Sequence, residues 1–497
     1  MSPALRADDA SPKTGPSGEL TDPAPAGGPG APTHRATGSG SHPEHRTVFA
    51  VDERDDPIVS MSRRCFLGAG ASTVLAAGVA GCDSGAGNDV SAAEPLRILV
   101  PEDHTTAIHA ATLRRFNTSP AEAGAEATAE LRTAPAPSYA RALETALDGE
   151  RGPDLLFTWG AGDIRVSAEE HRLVDLYNLT QEYPEFGEKL LPRVLNGCAV
   201  NHRPFGIPVR GTRPVVLFHH RAVFADLGLR PPATWADLKQ AVARLRTAGV
   251  TPLAPAGADP AAAASWLEYL VERVGGPEVA DRVRSGDNSA WNDRAVLHAA
   301  REISSLLDSG AFGADGGAAA TGGEAAALLA RGRAGLLLAE SGQHAELARR
   351  FPAFTAENLG WTPFPAIEDG KGEPGSLLGT PAGCLTISAR TENRLAAVAL
   401  LREFTGTAHS RALLRAGEVP ATTAAANLLD HAPYPEFARF QYDLVRKAPA
   451  YTLSWERAVH PAWRDPLRTE VGNLFAGRST PREFTEAMWS VELPVAR

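Results

Sequence analysis

Trp159-Gly160-Ala161-Gly162-Asp163 brings together a flat aromatic face, two positions where backbone can come close to a partner, and a carboxylate acceptor. It follows Pro153-Asp154-Leu155-Leu156-Phe157-Thr158, an apolar run entered by a Pro-Asp turn, so it lies at the carboxyl end of a predicted strand. In open α/β sheets ligands sit beyond such strand ends. Sugars present C–H faces and hydroxyl edges, which suit an aromatic platform with polar neighbours. The same pattern also fits Trp159 as a core side chain capping its strand. His104 stands in a comparable place after the first predicted strand, as a ligand contact or as a solvated loop histidine. Glu340, Ser341 and Gln343 follow another predicted strand, Gly332–Leu338, and put polar groups at its end. Ser341 equally fits a plain N-cap for a helix over His344–Arg350.

These groups need a scaffold, and the chain supplies an alternating one. Leu96–Val100 is a predicted strand, His109–Phe116 a helix, Glu130–Thr133 a strand, Tyr139–Leu147 a helix, and Pro153–Trp159 a strand. That order implies a parallel α/β sheet with right-handed crossovers. From Phe205 to Val250 the pattern is loop, strand, helix, loop, helix. Val215–Phe218 is a buried apolar run, Thr234 an N-cap, and Leu238, Val242 and Leu245 recur at helical spacing before Gly249. Ala261–Val274 and Asn292–Leu307 are amphipathic helices, with Trp266 on the core face of the first. Cys384–Ile387 is a strand, Asn393–Phe404 a helix, and Asp465–Met488 two helices split by Gly477.

The 497 residues have room for two or three domains, and a net charge of −10 gives nucleic-acid binding no electrostatic support. Residues 1–60 are rich in Pro, Gly, Ser and Ala, and are either a disordered tail or an over-extended start ahead of Met61. Residues 61–82 then follow the grammar of an export signal. Arg63 and Arg64 open it, a short apolar run fills it, and Val79-Ala80-Gly81-Cys82 closes it. Ser62-Arg63-Arg64 with Phe66-Leu67 resembles a twin-arginine motif, and the closing four residues resemble a bacterial lipobox with Cys82 as the lipidated residue. Residues 83–94 would be a tether. Cys198 and Cys384 remain, as one disulfide or as two buried thiols.

The stretch Gly206-Ile207-Pro208, the strand ending at an aromatic, Phe224-x-x-x-Gly228-Leu229-x-x-Pro232-x-Thr234-Trp235 and Ala248-Gly249-Val250-Thr251-Pro252-Leu253 resembles the family-1, maltose-binding-like solute-binding proteins of ABC importers. Gly152-x-Asp154-Leu155-Leu156, Leu173–Leu176 and Gly417-Glu418-Val419-Pro420 extend the resemblance over nearly all of residues 95–490. It implies an α/β, two-lobe periplasmic-binding-protein-like fold of type II. Lobe one would be 95–212 with 375–415, and lobe two 213–374 with 416–497. Hinges would lie near Val209–Pro214, Gly372–Leu378 and Ala416–Pro420. Arg210 and Arg213 on the first crossing would fork onto vicinal hydroxyls or a carboxylate, or equally form an ion pair between lobes. The Glu340–Gln343 loop stands where the family places a cleft-lining Gly-x-Trp, here without its Trp. Trp361 precedes the second crossing, and Trp455 lies where members often present a stacking aromatic.

No His-Glu-x-x-His, Walker A, Gly-x-Ser-x-Gly or Ser-x-x-Lys pattern occurs. The resemblance therefore implies a monomeric binding lipoprotein without cofactor or metal and not an enzyme. It would hold a mono- or oligosaccharide between its lobes, hand it to separate permease subunits, and be anchored outside the cytoplasmic membrane through Cys82. The alternatives are a secreted glycan hydrolase, whose carboxylate pair needs no local motif, a binder of a non-sugar solute, and a sensor-associated binding protein.

Overall fold

A computed structural model describes residues 94–118, 128–149, 151–254, 259–313, 321–381 and 383–492. Arg63, Arg64 and Cys82, with the tail, export signal and most of the tether, lie outside the described residues.

Two sheets organise the described chain. The first runs in the order Ala129–Pro135, Leu96–Glu102, Leu155–Thr158, Cys384–Ile387, Gly206–Pro208. Its first three strands are parallel, in register from Leu96 opposite Ala129 and Ile98 opposite Leu155. Helices Thr106–Thr118 and Tyr139–Asp148 make the crossovers. Ile98, Val100, Leu155 and Phe157 are fully buried, as strands covered on both faces require. Cys384–Ile387 enters antiparallel to both of its neighbours, Leu155–Thr158, more than 200 residues earlier, and Gly206–Pro208.

The second sheet is centred on Arg213–His220. Its order is Tyr451–Leu453, Leu377–Thr380, Arg213–His220, Ala334–Glu340, Thr251–Leu253, and Leu359–Thr362 also pairs with the central strand. Val216, Leu217 and Phe218 have no exposed surface, which explains the unbroken apolar run in the sequence. The following helix, Trp235–Thr247, begins at a capping box in which Thr234 accepts from Asp237 N and the Asp237 carboxylate accepts from Thr234 N. Leu238, Val242 and Leu245 form its buried face. Gly249, at φ 75°, ends it, with Val250 N donating back to Leu245 O. Trp266 is buried in the second core, as its helical spacing predicts.

The lobe boundaries differ from those expected at 375 and 416. Leu377–Thr380 stays in the second sheet, paired with Pro214 and Arg213. Arg273, 1% exposed, donates Nη2 to Pro374 O and Ser376 O, each at 3.0 Å, and clamps that segment to the second lobe. The crossing follows Thr380, the last residue of that strand, and is complete at Cys384, where the strand of the first sheet begins, instead of lying at Gly372–Leu378. Residues 421–448 pack on the first core through Ala425, Leu428, Ala438, Tyr442 and Val445 and, through Phe437, on Phe218 of the second sheet's central strand, and the chain rejoins that sheet as a strand only at Tyr451. Sequence order alone hid this because Gly417–Pro420 does run beside the first crossing, with Gly211 bridged to Pro420, and then turns back.

Cys198 and Cys384, both fully buried, are joined as a disulfide with Cα atoms 6.4 Å apart, which settles the choice left open above. It ties the chain just before Ala199 to the strand that starts right after the second crossing. It closes a loop of 186 residues. Replacing both cysteines by serine should cost about 2–5 kcal/mol. A melting scan of that variant checks this, and an unchanged Tm with four titratable thiols, instead of two, in the denatured, unreduced full chain would exclude the bond.

Candidate functional site

The first strand ends in a tight loop. Asp103 Oδ1 accepts from Thr105 N at 2.8 Å and Asp103 N donates to Thr106 Oγ1 at 2.9 Å, which leaves the His104 side chain projecting, 52% exposed. Facing it, the first crossing is stitched to the segment 416–420 by Thr212 N donating to Val419 O at 2.8 Å. Between them stands Glu418, 7% exposed. Its Oε1 accepts from His104 Nε2 at 2.8 Å, Arg210 Nη2 at 2.9 Å and Arg213 Nη2 at 2.7 Å, and its Oε2 from Gly211 N at 2.9 Å. A Cβ at Gly211 would stand 2.8 Å from Glu418 Cβ, so the carboxylate reaches the backbone only because that residue is glycine. Arg210, 3% exposed, also donates Nη1 to Asp103 Oδ2 at 2.8 Å. Burial works to raise the Glu418 pKa, but the bond from His104 and the charges of Arg210 and Arg213 hold it well below the usual carboxylate range. Asp103 is likewise lowered, burial being outweighed by Arg210 and the Thr105 bonds.

Glu418 lines a cleft of about 740 Å³ between the lobes, toward the upper part of the ~300–1,000 Å³ range of small-molecule sites. The second lobe contributes Glu340, Ser341 and Gln343 at the end of Ala334–Glu340, together with Asp259, Glu456 and Arg457. Glu340 Oε1 accepts from Thr380 Oγ1 at 3.0 Å. Ser341 is not a helix cap: the helix Gln343–Arg350 starts after Gly342 without a side-chain cap. Ser341 N instead donates to Pro214 O, tying the loop to the central strand.

The aromatic wall comes from elsewhere. Tyr434 lies between Pro433 and Pro435, with φ −130° and ψ 78°, just outside the helix Pro435–Lys447. The flanking prolines keep it off the helical path, and its ring stands 42% exposed in the cleft. His344 supports it at 4.8 Å and stacks on Phe437 at 4.1 Å. Burial pushes the His344 pKa down to about 4, so the ring is neutral at pH 7 and behaves as an aromatic surface.

Of the residues singled out in the sequence, His104, Arg213, Glu340, Ser341 and Gln343 line the cleft. The other five do not. Arg210 is buried in its two carboxylates, the ion-pair alternative among its two readings. Trp361 sits behind the wall, edge-on to His344 and Phe437 at 5.7 and 5.1 Å. Trp455 is 1% exposed and packs against Trp291 at 5.3 Å, which makes it a core residue and not a stacking platform. Trp159 is half-buried, with the guanidinium groups of Arg210 and Arg457 5.1 and 5.2 Å from its ring centre. Asp163 accepts from Arg464 Nη2 at 3.1 Å instead of facing a ligand. Glu418, Tyr434, His344 and Phe437 were missed. The signals were a lone carboxylate in Gly417-Glu418-Val419-Pro420 and an aromatic bracketed by prolines. Among the described residues no group of His, Cys, Asp and Glu is placed to hold a metal ion, and no helix is long and apolar enough to cross a membrane.

Solved structures with this fold cover 80% of the chain. They include a protein of xylan utilisation from Caldanaerobius polysaccharolyticus (20% identity, 98% of its chain, TM-score 0.64). The bacterial solute receptor AcbH, described as having an exclusive preference for β-D-galactopyranose, superposes with TM-score 0.68 at 17% identity over 97% of its chain. A probable secreted solute-binding lipoprotein from Streptomyces coelicolor does so with TM-score 0.65 at 17% identity over 98% of its chain. At these identities the likeness is one of fold. No curated protein matches the sequence. The model of the bacterial extracellular solute-binding proteins matches residues 118–409, more than half of the chain. A match of that extent, on a chain whose two sheets meet across a polar cleft, makes it a member of the bacterial extracellular solute-binding protein family.

Proposed function

We propose that the chain binds a neutral mono- or oligosaccharide between its lobes and delivers it, unaltered, to the permease of an ABC importer, held outside the cytoplasmic membrane by a lipid on Cys82. The observation that carries this is the cleft-facing Tyr434 ring in a cleft whose charges are largely matched. Glu418 is paired with Arg210 and Arg213, Glu346 with Arg349, and Glu456 with Arg468, while Asp259 caps the helix Pro260–Gly275. Glu340, which accepts from Thr380, and Arg457, over the Trp159 ring, have no ion pair among the described residues and are opposite in sign. A cleft of largely matched hydrogen-bonding groups beside an aromatic face favours a polyol over an ion. The descriptions of AcbH and of a chitin oligosaccharide binding protein, similar in fold, agree with a saccharide. A hydrolase reading gains nothing from the site: Asp163 is paired outside the cleft, and Glu418 is held ionised by four donors.

Thermal unfolding against a panel of neutral sugars, amino sugars, amino acids and polyamines tests this. A ligand at about 100 times its dissociation constant adds roughly 2.7 kcal/mol, and it should be recovered chemically unchanged. Tyr434→Ala should weaken that ligand by about 1–2 kcal/mol, roughly 5- to 30-fold, while Tyr434→Trp keeps it. A panel in which only charged solutes shift the melting temperature would overturn the saccharide assignment.

A further inference from the structure

The loop from Trp159 to Asp163 meets the other lobe where its composition suits a ligand. A Cβ at Gly160 would stand 2.6 Å from the Leu453 side chain, and one at Gly162 would overlap the carbonyl oxygen of Arg457. These glycines are therefore sites of close approach, but of the segment that begins at Leu453 in the second lobe. Beside them Asp163 and Arg464 form an ion pair at 3.1 Å, each side chain only about a quarter exposed (28% and 26%). Arg165 Nη2 reaches Arg284 O at 3.4 Å. Arg457 lies over the Trp159 ring, whose neighbouring cation, Arg210, belongs to the first crossing. The seam thus sits at the carboxyl end of Leu155–Thr158, on the cleft side of the first sheet, and Arg457 belongs to both seam and cleft.

We propose that this seam is a clasp that sets affinity: Trp159 and Asp163 on one lobe, and Arg457 and Arg464 on the other, hold the lobes together at one end of the cleft before any ligand arrives. A binding protein whose competent state is already populated loses less of its intrinsic affinity, because the apparent dissociation constant is the intrinsic one divided by the competent fraction. Asp163 and Arg464 touch no part of the cleft, so they act as positioning residues through the lobe equilibrium alone. The consequence for affinity rests on the binding function proposed above, whereas the clasp itself does not.

The test is made without saccharide. Spin labels at Leu395→Cys in the first lobe and Trp489→Cys in the second occupy exposed positions, 68% and 52%. Cys65→Ser and Cys82→Ser in the full chain leave the Cys198–Cys384 bond as the remaining cysteines. Pulsed electron paramagnetic resonance should give one dominant interlobe distance. Gly162→Leu, a wedge against Arg457, and the double variant Asp163→Ala/Arg464→Ala should each move more than about half of the population to a new distance. The charge exchange Asp163→Arg/Arg464→Asp should restore the original one. If either disrupting variant leaves the distance distribution unchanged, the clasp is refuted, and the saccharide reading is untouched by that result.

Discussion

Glu418→Ala should lower the unfolding free energy by about 3–5 kcal/mol, the loss that follows when one partner of a buried charge cluster is removed. The size follows from what remains behind. Arg210 would stay in place, 3% exposed, with Asp103 as its one carboxylate. Arg213 would lose its ion pair, and Gly211 N its acceptor. The cluster also joins three separated pieces of chain: the loop at His104, the first crossing, and the segment 416–420. The alanine variant should therefore loosen the hinge as well as the fold, seen as faster amide exchange over residues 209–214. Glu418→Gln separates shape from charge. It can still accept from Gly211 N but gives up the charge-assisted bonds, so it should fall between the two. The denaturant midpoint decides: a loss under about 1 kcal/mol for the alanine variant would mean that solvent reaches these charges and that Glu418 is no staple.

Much of this architecture was legible beforehand. The alternation of strands and helices at 96–158 is local, set by apolar runs and turn residues, and it folded as the periodicity required. The capping box at Thr234 and the stop at Gly249 are local too. What failed was non-local. Nothing near Trp455 shows that Trp291, some 160 residues earlier, will meet its ring and bury it. The glycines at 160 and 162 are close-approach positions, but a glycine does not say what approaches. Arg210 and Arg213 look alike in sequence, yet only Arg213 reaches the cleft, because Arg210 is drawn inward by Asp103 on another strand end. Tyr434 escaped because its value lies in an exposure created by two prolines and a helix start, which carries no periodic signature.

Acid should unfold this protein steeply, and four buried histidines give the reason. Burial lowers the pKa of His219 and His344 to about 4 each, with Arg221 adding to the effect at His219. It also lowers the stacked pair His109 and His409, the second of which bonds Thr112 and Val209 O. In the unfolded chain each takes up its proton near pH 6.5, whereas in the folded chain each resists until far lower. Between those limits the unfolded state binds more protons, so stability is full above about pH 6.5 and falls as the pH drops toward 4, by up to about 1.4 kcal/mol per pH unit for each group. Glu268 has the opposite sign. Burial raises it to about 8, so its contribution is complete below the ordinary glutamate range and is lost as the pH rises through 8. Burial also lowers His220 and raises Glu272, so five groups against two leave a net slope of up to about 4 kcal/mol per pH unit between pH 6 and 4.5, about 6 kcal/mol over that window and comparable to an ordinary folding free energy. Glu418 adds no slope in that window, because its carboxyl group is ionised there in the folded chain and largely so in the unfolded chain. His109→Phe isolates the cause. Neither ring nitrogen of His109 has a hydrogen-bond partner among the described residues, and the ring packs edge-on to Phe404 at 5.6 Å. Phenylalanine there should raise stability at pH 7, since it removes a buried unsatisfied polar group. It should also flatten the slope of unfolding free energy against pH by about 1.4 kcal/mol per unit. Denaturant midpoints from pH 8 to 4 for both chains measure each effect, and equal slopes would show that His109 is protonated as readily folded as unfolded.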